Sequence, residues 1–255
     1  IEKFLETDIP VFGICLGQRC GAKDEKGMRK SVAVSTLLSI IFTIVLTLIC
    51  CLLAHQILRW MQIPEDISGE AYDYMFVVLL GTGATVFYNM ISNMLRALGD
   101  SKTPLVFLII ASIINIILDP IMIFGYFGLP AMGAAGAAIA TVIGQCIAAL
   151  LAIYYNLKKN PDIQLSLKGF RPEGDVIGRI LSIAVPSIAM VAVGSVMTYG
   201  FNRILFTFTP IAVSVFGIFY KVQSMAFMPV FGLNNGMIPI VSYNYGAKQP
   251  DRMLK

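Results

Sequence analysis

Six long apolar segments dominate this sequence and constrain its fold more than any other feature. They lie at 31–58, 71–95, 104–127, 132–156, 177–206 and 211–241. Each exceeds the roughly 18 apolar residues that indicate a membrane-spanning helix. Hydrophobic residues make up 57% of the chain and charged residues only 13%, whereas soluble domains carry about 25% charged residues. The sequence therefore predicts an all-α integral membrane protein, a polytopic helical bundle.

The basic residues alternate along the loops between these segments. The loops rich in lysine and arginine carry Arg19, Lys23, Lys26, Arg29 and Lys30, then Arg96 and Lys102, then Lys158, Lys159, Lys168, Arg171 and Arg179, then Lys248, Arg252 and Lys255. The intervening loops carry one basic residue or none. Because lysine and arginine are in excess on cytoplasmic loops, we expect the rich loops to face the cytoplasm. This placement favours a lipid bilayer over a nucleic acid as the partner of the positive charge.

A short internal repeat indicates how the spans are organised. The stretch "RCGAKDEKGMRK" at 19–30 agrees with "NYGAKQPDRMLK" at 244–255 at five of twelve positions, and six apolar segments separate the two. This is the pattern of two parallel six-helix halves. We therefore expect the chain to be part of a 6+6 parallel-repeat, twelve-helix protein, with about one span before it and four after it. In this interpretation "IPVFGICLG" at 9–17 is the tail of a further span.

Four motifs in chain order resemble the multidrug and toxic compound extrusion (MATE) transporters. They are "LRALGDSKTP" at 95–104, "NIILDPIMIFG" at 115–125, "MGAAGAAIATVIGQ" at 132–145 and "MPVFGLNNGMIPIVSYNYGAK" at 228–248. The closest similarity is to bacterial multidrug exporters that carry a lysine in the eighth helix. The resemblance implies a two-lobed antiporter in the plasma (inner) membrane that exchanges Na⁺ or H⁺ for organic cations by alternating access. We expect it to be monomeric at full length.

The same resemblance assigns each span to a helix of the family and each part of the chain to one of the two lobes. The six full spans correspond to the third to eighth helices of the family. Residues 1–160 then form most of the N-terminal lobe, from the tail of the second helix to the sixth helix. Residues 161–176 form a cytoplasmic linker between the lobes. Residues 177–255 begin the C-terminal lobe with the seventh and eighth helices.

Asp119 is the most informative single residue, because it lies well inside an apolar segment. A carboxylate near the bilayer centre costs about 2.5–3.5 kcal/mol on insertion scales. Asn115 lies four residues earlier, on the same helix face, and Pro120 follows and frees a backbone carbonyl. Such oxygens could hold Na⁺ or accept a proton, although a structural aspartate that only bonds a neighbouring helix fits the residues equally well. The resemblance implies ion coupling, because Asn115 and Asp119 match the family's fifth helix and Thr141 its sixth.

Lys221 is the second charged residue inside an apolar segment. It is either a gating or coupling residue, or a lysine that extends to the outer headgroup region. Polar, aromatic and thioether side chains nearby suit a pocket for varied lipophilic cations, and they are equally common where helices pack. The candidate pocket residues are Tyr199, Asn202, Gln223 and Met225.

Three prolines fall inside the last two apolar segments. They are Pro186, Pro229 and Pro239. Broken helices are typical of transporters that move between two states. We therefore expect these prolines to interrupt the two helices that contain them.

The chain lacks the sequence motifs that are typical of several other functional classes. The chain contains no HExxH zinc site, no GxSxG elbow and no phosphate-binding loop, so an enzyme and an ATP-driven pump are not expected. No cofactor or metal is expected beyond the coupling ion itself. Three alternatives remain open, namely a flippase for lipid-linked oligosaccharides, a channel, and an inactive part of a larger transporter.

Overall fold

The chain is almost entirely α-helical over residues 11–60, 65–128, 130–159 and 174–253, which the computed structural model describes. The helices are α1 (Val11–Gly21), α2 (Glu25–Trp60), α3 (Glu65–Ala97), α4 (Lys102–Phe124), α5 (Gly133–Lys159), α6 (Gly174–Phe208), α7 (Pro210–Gly246) and α8 (Pro250–Met253). A 3₁₀ turn, Tyr126–Gly128, follows α4. No strand occurs within these ranges. The predicted all-α bundle is confirmed.

Helices α2 to α7 are all long and apolar enough to cross a membrane. The shortest, α4, has 23 residues, or roughly 35 Å at 1.5 Å per residue, which exceeds the roughly 30 Å hydrocarbon core. Each of the six predicted segments is therefore a helix of spanning length. Most helices extend past the predicted segment, because charged residues at the ends continue the helix into the interface.

One predicted segment ends early. The segment 104–127 forms a helix only as far as Phe124, because Gly125 adopts a left-handed conformation with φ 73° and its N–H donates to the Ile121 carbonyl at 3.0 Å. A left-handed residue of this kind ends a helix. Phe127, also left-handed with φ 62°, belongs to the following 3₁₀ turn.

The three prolines do not break their helices. Pro186 lies inside α6, and Pro229 and Pro239 lie inside α7, and both helices are continuous. The expectation of interrupted helices was wrong. Each proline removes only one backbone donor, whereas unwinding a turn inside a membrane would leave several polar groups without partners.

Helices α2 to α5 form one compact unit. Within it α5 packs against both α3 and α4, and α2 packs against α3. Glycines allow these close approaches. A Cβ atom on Gly81 of α3 would lie 3.1 Å from the Cβ of Val142 of α5, and one on Gly83 would lie 3.6 Å from Thr43 of α2.

A row of hydroxyl groups runs along α2. Its members lie four or eight residues apart and are Ser31, Ser39, Thr43 and Thr47. Their side-chain oxygens are buried, and within the part of the chain that the structure describes they have no hydrogen-bond partner. Residues spaced by four share a helix face. The face of α2 that carries this row is thus polar in composition but not fixed by hydrogen bonds.

Helices α1, α6, α7 and α8 form a second compact unit. Here α7 packs against α1 and α6, and the rings of Phe201 and Phe216 stack at 5.7 Å between centroids. The structure thus groups α1 by contact with α7. Its assignment to the N-terminal lobe rests on the family resemblance and stays a prediction. Most of the expected linker, from 161 to 173, lies outside the described residues.

Candidate ion-coupling site

Asn115, Asp119 and Thr141 meet between α4 and α5. The Asn115 Nδ2 group donates to Asp119 Oδ1 at 3.1 Å and to Thr141 Oγ1 at 3.3 Å. The Thr141 hydroxyl donates to the Ala137 carbonyl, one turn earlier in α5, at 3.0 Å. Asn115 and Asp119 are half-buried and Thr141 is exposed. The structure therefore brings together the three residues that the sequence singled out.

Two glycines of α5 hold Thr141 against α4. A Cβ on Gly144 would lie 3.1 Å from the Ala111 carbonyl oxygen and 3.7 Å from the Asn115 Cβ. A Cβ on Gly136 would lie 2.6 Å from the Met122 carbonyl oxygen. The two backbones are thus in direct contact on both sides of Thr141, as small residues permit in membrane helices.

The group offers several oxygen atoms to a small cation or a proton. Asp119 Oδ2 accepts no hydrogen bond from the described residues, and the Thr141 oxygen faces the same amide. Rotation of the Asn115 amide would present its oxygen in place of its nitrogen. Pro120 has no N–H, so the Ile116 carbonyl cannot receive the usual helical hydrogen bond. A hard cation prefers such carboxylate, hydroxyl and carbonyl oxygens.

The remaining candidate residues lie in the other compact unit. Lys221 is exposed on α7, and no acidic side chain of the described ranges lies within ion-pair distance of it. Tyr199 and Asn202 lie on α6, and Gln223 and Met225 on α7. Tyr199 and Met225 are 56% and 72% exposed. Their membership of a substrate pocket stays a prediction.

A second carboxylate cluster joins the start of α4 to the end of α5. The carboxylate of Asp100 accepts hydrogen bonds from the Thr103 N–H at 3.1 Å, the Thr103 hydroxyl at 2.6 Å and the Tyr155 hydroxyl at 3.0 Å. Burial acts to raise the pKa of Asp100, but these hydrogen bonds and one from the Lys102 backbone outweigh it and lower the pKa. Sequence reasoning missed this cluster, because Tyr155 lies 55 residues from its partner.

Comparisons with known proteins agree with this architecture. The family model MatE matches residues 12–121 and 186–255. The chain is 27% identical over 252 residues to the "Probable multidrug resistance protein YoeA" of Bacillus subtilis (strain 168), covering 94% of this chain and 52% of that protein. It thus spans about half the length of the curated relatives it matches.

Solved structures share the fold. One is an outward-facing conformation of a multidrug resistance MATE family transporter of the MOP superfamily, with a TM-score of 0.87 and 24% identity over 98% of this chain and 56% of that one. Another is an inward-facing conformation with the same description, with a TM-score of 0.79 and 24% identity over 99% of this chain and 57% of that one. A family model that matches well over half of the sequence, on six helices of membrane-spanning length, places this multi-pass membrane protein in the MatE family.

Proposed function

We propose that the full-length protein exports lipophilic organic cations across the plasma membrane in exchange for Na⁺ or H⁺, with Asp119 as the coupling carboxylate. The observation that carries this proposal is the Asn115–Asp119–Thr141 group on two packed helices of spanning length. The name of the Bacillus relative, a probable multidrug resistance protein, supports export as the activity. The lipid-linked oligosaccharide flippase remains an alternative that none of these observations favours.

Charge neutralisation at Asp119 is the chemical basis of the coupling. An ionised carboxylate within a membrane span is costly, and the single hydrogen bond from Asn115 offsets only part of that cost. Binding of Na⁺ or of a proton at the second carboxylate oxygen removes the net charge. The free energy of the ion gradient then biases one conformation of the transporter over the other, because the ion binds the two conformations with different affinity.

The exchange also requires the transporter to alternate between a conformation open to the outside and one open to the inside. The outward-facing and inward-facing structures of similar transporters support two such states for this protein. The flexible thioether of Met225 and the ring of Tyr199 suit organic cations of varied shape. Lys221 acts as the gating residue in this proposal, and the loops rich in lysine and arginine face the cytoplasm. The transporter works as a monomer and uses no ATP.

The test measures efflux of a fluorescent organic cation from cells that express the full-length gene. Sodium and proton gradients are imposed separately on the wild type, on Asp119→Asn, and on Asp73→Asn as a matched control. Asp73 is exposed on α3, so its loss of charge leaves the candidate group untouched. We expect Asp119→Asn to reduce gradient-driven export at least tenfold and Asp73→Asn to leave it unchanged. The gradient that drives the wild type identifies the ion.

Thr141 provides a graded companion test. Thr141→Ser keeps the hydroxyl and Thr141→Ala removes it, with little difference in volume between the two variants. If Na⁺ is the ion, we expect the alanine variant to need about tenfold more Na⁺ for half-maximal export, a loss of about 1.4 kcal/mol, and the serine variant to resemble the wild type. Normal export by well-inserted Asp119→Asn would reduce that carboxylate to a structural role and refute the proposed coupling.

A further inference from the structure

Three lysines lie where α4 begins and α5 ends. Lys102 is the first residue of α4, and Lys158 and Lys159 are the last two residues of α5. The hydrogen bond from the Tyr155 hydroxyl to Asp100 joins these two helix ends. All three lysines are exposed, and no acidic side chain of the described ranges lies within ion-pair distance of any of them. Their charge is therefore available to a partner outside the chain.

Asp100 does not pair with these lysines, because neutral donors occupy its carboxylate. Its Oδ1 atom accepts a hydrogen bond from the Thr103 N–H, and its Oδ2 atom accepts from the hydroxyls of Thr103 and Tyr155. Both carboxylate oxygens are thus satisfied without a lysine. Three positive charges lie close to one negative charge, so the joined helix ends carry an excess of positive charge.

Two of the lysines lie against tyrosine rings. The Lys158 ammonium is 4.7 Å from the centroid of the Tyr154 ring, and the Lys159 ammonium is 5.2 Å from the centroid of the Tyr155 ring. Each lysine follows its tyrosine by four residues and so lies on the same helix face. The ring attracts the ammonium to its face, which restricts an otherwise flexible side chain. A restricted lysine loses less conformational freedom when an anion binds.

The face of α5 beside Lys158 is apolar and exposed towards the middle of the membrane. Leu150, Tyr154 and Leu157 are 65%, 57% and 54% exposed, and spacings of three and four residues place them on one face with Lys158. Tyrosine rings are typical of the membrane–water interface, and a lysine extends its ammonium towards the headgroups. The order of leucine, tyrosine and ammonium along this face matches the order of acyl chain, interface and phosphate in a phospholipid.

We propose that the joined ends of α4 and α5 bind the headgroup of an anionic glycerophospholipid, with its phosphate at Lys102, Lys158 and Lys159 and an acyl chain along the exposed leucines. A lipid fits better than a soluble phosphate, because apolar surface continues from the lysines into the membrane. An anionic headgroup fits better than a choline headgroup, because the Asp100 carboxylate and both rings are already occupied and cannot receive the choline cation. This inference goes beyond the proposed export and does not depend on it.

The test measures lipid binding to the full-length protein in detergent by native mass spectrometry. Phosphatidylglycerol and phosphatidylcholine with identical acyl chains are the two probes. Lys158→Gln combined with Lys159→Gln removes two charges from the site. The matched control combines Lys26→Gln with Lys248→Gln, which removes two charges from exposed lysines elsewhere. Since each lysine near an anionic headgroup strengthens binding roughly fivefold, we expect the site pair to weaken phosphatidylglycerol binding about tenfold or more and the control pair to keep it.

Tyr154 distinguishes an ordered site from general attraction to positive charge. Tyr154→Phe keeps the ring beside Lys158, whereas Tyr154→Leu keeps only apolar surface. We expect the phenylalanine variant to bind phosphatidylglycerol like the wild type and the leucine variant to bind it about threefold more weakly. Equal Tm values for all variants would show that the losses do not come from unfolding.

Four results would overturn the inference. They are equal binding of the two lipids by the wild type, equal losses in the two lysine pairs, unchanged binding by Tyr154→Leu, and displacement of the lipid by millimolar inorganic phosphate, which would identify a site for soluble anions. The binding is measured without transport. A wild type that exports nothing would therefore refute the proposed function and leave the lipid result intact.

Discussion

Removal of the Tyr155 hydroxyl tests how α4 and α5 are tied together beyond the candidate ion site. Tyr155→Phe deletes the donor of the 3.0 Å hydrogen bond to Asp100. The ring itself makes an edge contact with Phe107 at 5.9 Å and lies under the Lys159 ammonium at 5.2 Å. A phenylalanine ring keeps both contacts, so the substitution isolates the hydroxyl.

The expected magnitude follows from the charge of the acceptor. Hydrogen bonds to charged groups contribute about 1.5–3 kcal/mol, but Asp100 is half-exposed and keeps both bonds from Thr103. We therefore expect a loss of about 1–2 kcal/mol in the free energy of unfolding, or roughly 2–8 °C in Tm. Tyr154→Phe is the matched control, because Tyr154 is the neighbouring residue and is 57% exposed.

The effect should depend on pH in a definite direction. The pKa of Asp100 in the folded protein lies below its ordinary value of 3.8, so the folded state favours the ionised carboxylate. The stability that this supplies is fully present above 3.8 and is lost as the pH falls through the folded pKa. Thermal unfolding of the full-length protein in detergent would show the difference between wild type and Tyr155→Phe at about pH 7 and its decline towards about pH 3. An equal loss for Tyr154→Phe, or a difference that grows in acid, would refute this reasoning.

Two further predictions concern backbone geometry. Gly144→Val should lower the Tm by several degrees and weaken ion-dependent export, because the valine side chain would force α5 away from Ala111 of α4. The control is Gly194→Val, at an exposed helical position where no atom lies within 4 Å of a Cβ. It should leave the Tm nearly unchanged in the same thermal assay. Lys23→Gly should relieve a left-handed lysine and stabilise the protein by about 1 kcal/mol. Lys26→Gly, in the first turn of α2, should instead cost a few tenths of a kcal/mol, because the glycine penalty reaches about 1 kcal/mol only in a helix interior. A stabilising Lys26→Gly, or a strongly destabilising Lys23→Gly, would contradict the assigned backbone conformations.

The spans were predictable because the membrane imposes one dominant rule. A run of apolar residues long enough to cross the bilayer must form a helix, so six runs predicted six helices. The same rule explains why the prolines were predicted wrongly to interrupt their helices. Unwinding a helix inside a membrane would leave several backbone groups without hydrogen bonds, and that cost outweighs the loss of one donor at each proline. The early end of α4 depended on the conformation of Gly125, and a glycine inside an apolar run gives no sign of whether it will be left-handed.

The candidate site was predictable in part. The spacing of Asn115 and Asp119 places them on one helix face, but the adjacency of Thr141 came from the family resemblance and not from the spacing. Neither the Asp100–Tyr155 bond nor the crossing of α1 with α7 was predicted, because both join residues far apart in sequence. A usable signal existed for the crossing: small residues occur four apart at 17 and 21 and again at 242 and 246, where the two repeated stretches begin.

The row of unpaired hydroxyls on α2 has a consequence for how that helix can move. A helix face fixed by specific hydrogen bonds has one deep energy minimum, because a shift along the axis breaks every bond at once. Within the described part of the chain the hydroxyls at 31, 39, 43 and 47 have no hydrogen bonds to break. A shift of one turn, roughly 5.4 Å, brings similar small groups to the same places. Along this face the register of α2 is therefore set by side-chain packing, because these hydroxyls add no hydrogen bonds that a displacement would have to break.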